Sequence, residues 1–201
     1  MKAVDVDIAA DLILAGALAA AWLAAGLVAD GLPGVRTARE LRRKSGVLSA
    51  LVAAGAAVFV AVPLVTWFVP GESTAPTATL LPAVPGLIVL TLGVRRLGQV
   101  RRGAGAFASA PQTPVPPALR AAAAHPLILV PMQVTGLAAL VGLPIAARLV
   151  EVPGADVAGI ATTVMGAAVV VIGVRAAVRH SRLSLLALAP IGRSRPRVPV
   201  D

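Results

Sequence analysis

Cysteine is absent from this 201-residue chain. That excludes disulfides, thiolate nucleophiles and cysteine-ligated metal. Charge is scarce too: Asp, Glu, Lys and Arg make up 13% of the residues, against about 25% in soluble domains. A soluble fold with so few charges cannot cover its surface, so lipid is the solvent that fits this composition. Aromatic residues are fewer still, with three Phe, two Trp and no Tyr. Their lack removes the stacking platform on which basic proteins hold single-stranded nucleic acid. No Ser-His-Asp, HExxH, P-loop or GxGxxG pattern occurs in a suitable context. The two histidines, His125 and His180, are not paired in sequence with any other ligand. No cofactor, metal or catalytic residue is therefore expected.

What the chain has is apolar length. Hydrophobic residues are 58% of the sequence and the mean hydropathy is +0.89. A spanning helix needs about 20 mostly apolar residues. Five stretches qualify without a charged side chain: Leu12–Ala29, Val47–Pro70, Thr79–Val94, Leu127–Ala147 and Val157–Val174. The third is short and carries Pro82 and Pro85, so it borrows Thr77 to Thr79 or an interfacial turn to reach across. No carboxylate or arginine lies in a span core, which speaks against a proton pump or voltage sensor.

The net charge is +9. In a soluble domain that would point to nucleic acid. Here the basic residues mark span ends. Gly-Val-Arg recurs at Gly34, Gly93 and Gly173, each time with a second arginine seven positions after the first. Sixteen of the eighteen Lys and Arg lie in the 30–46 loop, the 95–126 loop and the tail after 174. The other three connections hold only Lys2 and Arg148, and six of the nine acids. By the positive-inside rule this alternation places the N-terminus outside and the C-terminus in the cytoplasm. The leading segment MKAVDVDIAAD is too acidic for a secretion signal, so an uncleaved first helix is expected. Sixteen Arg to two Lys, with abundant Ala, Gly and Val, fits a high-GC bacterial genome and an inner-membrane location.

The expected fold is all-α, a polytopic bundle of five transmembrane helices. A single transmembrane domain over 1–180 has spans near 8–30, 47–70, 78–98, 126–150 and 156–179. The cytoplasmic linker over 99–125 is rich in Pro and Gly, which predicts a flexible or polyproline-II path with a helical lead-in over Ala118 to Ala124. In the tail over 181–201, LSLLALA is too short to span and is expected to lie on the membrane surface, with disorder beyond it. Trp67 and Phe68 read as an interfacial anchor, Trp22 as a packed residue, and Arg148 as a partner for Glu151.

Small residues carry the remaining signal. Gly159, Gly166 and Gly173 are seven apart and share one helix face; Ala53, Ala57 and Ala61 form a similar stripe. Such stripes let helices approach closely, and most serve contacts within one chain. Gly55-AAVFVAV-Pro63 matches Gly136-LAALVGL-Pro144 in spacing, which suggests a duplicated hairpin. Paired Pro63 and Pro144 would then be corresponding helix breaks of the kind that form transport sites. Gln133 is an amide inside hydrocarbon and needs a partner. The expected function is that of a non-catalytic, structural or accessory subunit packing against other subunits, or itself, in a larger membrane assembly. The alternative is a small oligomeric transporter or channel.

Overall fold

A backbone surrounded by lipid has to satisfy its hydrogen bonds internally, and the computed structural model of the chain is correspondingly helical. The structure describes residues 2–68, 75–147 and 155–188. Among these residues seven α-helices follow in order: α1 (Lys2–Gly31), α2 (Ala38–Phe68), α3 (Ala75–Ile88), α4 (Val94–Gly105), α5 (Pro117–Ala123), α6 (Pro126–Ala146) and α7 (Ala155–Leu188). Among the described residues there is no strand, only an isolated bridge between Thr37 and Pro114. Proline opens both α5 and α6, where its missing N–H breaks no helical rung.

Four helical stretches among the described residues are long and apolar enough to cross a membrane: Ile8–Gly34, Ala38–Phe68, Thr79–Gly105 and Pro117–Pro144. The third is not short. A π-turn over Val89–Gly93 joins α3 to α4, so the helix runs on from Ala75 to Gly105 and carries Arg95, Arg96, Arg101 and Arg102 with it. α7 has 34 residues, about 51 Å at the α-helical rise. It continues without a break through LSLLALA to Leu188, so this part of the tail extends a helix. The segments bearing Glu72, Arg148 and Glu151, where the expected Arg148–Glu151 pairing falls, and the tail beyond Leu188, lie outside the described residues.

Helix α6 is the axis of the bundle. It packs most extensively on α1, then on α3 and α7, while α2 lies against α1. The crossings occur at glycines. A β-carbon on Gly136 of α6 would meet the backbone of Trp22 and Leu23 at 3.0 Å, and one on Gly26 of α1 would lie 3.3 Å from Gln133. Trp22, fully buried, fills the space between α1 and α2. Its indole lies over Gly55, and its ring centroid is 6.1 Å from that of Phe59. Phe59 in turn lies against Gly86 of α3. Lipid tails give helices no hydrophobic reason to associate, so van der Waals contact of this closeness has to hold the bundle. The packed role expected for Trp22 is what the structure shows; its indole N–H is buried without an acceptor among the described residues.

The linker is not free. Its residues up to Gly105 complete α4. The segment 106–115 lies along the start of α2: the amides of Ala38 and Arg39 donate to Thr113 O and Pro111 O at 3.0 and 2.9 Å, and the Val115 amide donates to Arg36 O at 3.0 Å. The first amides of any helix lack intrahelical acceptors, and here the linker's carbonyls supply them. Thr37 accepts from the Glu40 amide at 3.3 Å and caps the same turn.

Candidate functional site

The three arginine-bearing segments meet at one end of the bundle. Linker and α2 start are joined as described; Arg101 of α4 donates to Ser49 Oγ of α2 at 3.2 Å; α5 packs on α7. At the α5–α7 contact the two histidines come together, with ring centroids 5.1 Å apart and nearly edge-on. His125 Nδ1 accepts from the Leu127 amide at 3.2 Å. His180 Nδ1 lies 3.0 Å from Ala121 O and donates to it. Sequence separation concealed this pair. From the turn between α5 and α6, His125 caps the first turn of α6, and His180 ties α7 to α5; no group of three His, Asp or Glu gathers among the described residues.

Arg179 of α7 reaches back to the end of α1. It donates to Asp30 O at 2.9 Å and to Asp30 Oδ1 at 3.1 Å, while Arg175 lies 3.5 Å from Asp30 Oδ2. A cleft of about 620 Å³ opens there. A second, of about 410 Å³, lies between Arg39, Arg42 and Arg43 of α2 and Phe107 of the linker. Both clefts therefore sit at the arginine-bearing end.

The residues singled out by sequence do not converge. Gln133 is half-buried at the α1–α6 crossing, its stem against Gly26, and its amide makes no hydrogen bond among the described residues. Pro63 and Pro144 are both exposed on the outside of their helices. Pro131, by contrast, is buried; it leaves Leu127 O without its usual rung, and a β-carbon on Gly93 in the π-turn would lie 3.4 Å from that oxygen. Three threonines within the apolar helices bond within their own helices: Thr66 to Val62 O at 2.9 Å, Thr91 to Leu87 O at 2.7 Å and Thr135 to Pro131 O at 2.6 Å. Asp11, at the start of the first charge-free stretch, is 2% exposed within α1.

The small-residue stripes point the other way from expectation. A methyl on Gly166 or Gly173 would have no neighbour within 4 Å, Gly166 is exposed, and Ala53 and Ala57 are exposed with Ala61 half-buried. Gly159 lies on α7 in the same register, with surroundings outside the described residues. The chain's own crossings use other glycines: Gly26, Gly55, Gly86 and Gly136. Nothing in sequence spacing tells the two sets apart, because a helix groove acquires meaning only from what lies in it. Trp67 and Phe68, 84% and 78% exposed, stand at the far end of α2 from its arginines. No protein family, curated protein or solved structure matches the chain.

Proposed function

We propose that this chain is a non-catalytic subunit that packs beside other subunits in a larger assembly of the bacterial inner membrane. In this reading it crosses the bilayer five times, α7 being the fifth span, with the N-terminus outside and the arginine-bearing end cytoplasmic. One observation carries the proposal: the bundle closes at its own glycines and leaves two further small-residue grooves, on α2 and α7, facing outward. Small residues at a lipid-facing position contribute little packing against acyl chains but allow close approach of another helix.

Co-purification from native membranes in mild detergent tests this. The chain should emerge with a partner, and Ala57→Leu with Gly173→Leu should release the partner without altering the chain's own melting behaviour. A monodisperse monomer from native membranes would refute it.

The second reading, an oligomeric transporter or channel, draws on a different feature. The π-turn over Val89–Gly93 lies beside the rung broken by Pro131, and irregular helices facing one another are frequent where membrane proteins bind solutes. That reading predicts solute flux in proteoliposomes, reduced by substituting Gly93 or Pro131. Absence of flux over a broad solute panel removes it.

A further inference from the structure

The cleft between the end of α1 and α7 has the composition of a headgroup site. Charge-free sequence ends at Ala29 on α1 and at Val174 on α7, and the cleft begins at the next residue of each, Asp30 and Arg175. Its walls therefore stand at the edge of the hydrocarbon. Three guanidiniums line it, from Arg175, Arg179 and Arg182, against the single carboxylate of Asp30. Asp30 is committed to Arg179, which it holds through two oxygens. Arg175 touches Asp30 only at 3.5 Å and is 72% exposed. Arg182 is exposed and makes no ion pair or hydrogen bond among the described residues. Two arginines are thus open to an anion at a fixed point beside the clamp.

The surface next to them is apolar. Val171, Arg175, Val178 and Arg182 recur at i, i+4, i+7 and i+11, one face of a helix. Val171 and Val178 are 66% and 45% exposed, and Pro33 and Leu183 complete the cleft lining. An exposed apolar track thus descends from membrane depth into a pair of guanidiniums. Such a pair suits a phosphate, which arginine binds in bidentate fashion. A phosphate tethered to acyl chains is the ligand that satisfies both halves of this surface.

We propose that the cleft binds the phosphate of an anionic phospholipid headgroup through Arg175 and Arg182, with an acyl chain lying along Val171 and Val178. This flank of α7 lies about half a turn from the Gly166 and Gly173 groove at 3.6 residues per turn, so it does not depend on that groove having a partner. Native mass spectrometry of the detergent-purified chain, titrated with dioleoyl phosphatidylglycerol, dioleoyl phosphatidylcholine or inorganic phosphate, tests the proposal. Phosphatidylglycerol should bind in preference to phosphatidylcholine, and millimolar phosphate should not displace it. Arg175→Gln with Arg182→Gln should weaken it about thirtyfold, and Arg182→Gln alone about fivefold, at the usual worth of a basic side chain facing an anionic headgroup. Arg42→Gln with Arg43→Gln removes equal charge from the other cleft and should leave binding within about twofold, less than the loss from a single basic contact. Equal loss in both double variants means diffuse surface attraction and overturns the site. Displacement by free phosphate, or equal affinity for the zwitterionic lipid, overturns the lipid assignment. Arg182→Gln ends no contact among the described residues, so its fold is retained and its result stands if the double variant misfolds.

Discussion

At the scale of single residues, the glycines divide into two kinds that only their neighbours distinguish. A methyl on Gly136 would be driven to 3.0 Å from the backbone of α1, which cannot swing aside as a side chain can. Gly136→Ala should therefore destabilise the chain by about 1–3 kcal/mol, the usual range for overpacking. Gly166→Ala meets open space and should leave the chain at least as stable, since Ala is the better helix former. Thermal unfolding in one detergent compares the two, and an equal drop for both would contradict the assigned crossings. Trp22, fully enclosed between Gly55 and Phe59, is the largest side chain in the core. Trp22→Ala should cost about 3–5 kcal/mol by the same measurement. The Asp30–Arg179 contact is different in kind. Its partners are 36% and 32% exposed, so a double-mutant cycle with Asp30→Asn and Arg179→Gln should give a coupling of only about 0.2–1 kcal/mol. The contact orients α7 rather than stabilising the bundle.

At the scale of elements, charge-free apolar length was enough to read four helices that are long and apolar enough to cross a membrane, and the basic clusters lie together at one end of the bundle. Arg101 lies beside Ser49 and Arg179 beside Asp30 at that end. The linker shows where such reading stops. Its Pro and Gly content suggests a free path, yet the unsatisfied amides at the start of α2 take up its carbonyls. Composition describes what a segment is able to do alone; it carries no record of donors waiting elsewhere in the chain. The amides of Ala38, Arg39 and Val115 should accordingly exchange with deuterium far more slowly than those of a mobile loop, and mass-resolved exchange on peptides covering the start of α2 and the linker will report this. The continuous third helix was hidden for a related reason. Pro82 and Pro85 lie inside α3, yet a π-turn whose Val89 and Gly93 are buried carries the helix on into α4. His125 and His180 met only because α5 folds onto α7.

For the whole molecule, the outward grooves and the arginine-bearing end define two sides of one problem: how the bundle is oriented and what surrounds it. The chain has no cysteine, so single introduced thiols report orientation on a clean background. A cysteine replacing the exposed Ser109 of the linker should stay protected from an impermeant reagent in intact cells, whereas one at position 74 should react. The reverse pattern would invert the proposed topology and move the proposed lipid cleft to the outer leaflet.

The most extensive crossing in the bundle joins α1 to α6, and this has a consequence for biogenesis. Gly26 and Gly136 are separated by about 110 positions, which a ribosome takes on the order of ten seconds to traverse. Throughout that interval α1 is already made, while the helix whose Gly136 meets the backbone of Trp22 and Leu23 has yet to be synthesised. A nascent chain arrested before residue 126 should therefore present an unfilled notch on its first helix, open to any insertase or companion protein able to occupy it until α6 arrives.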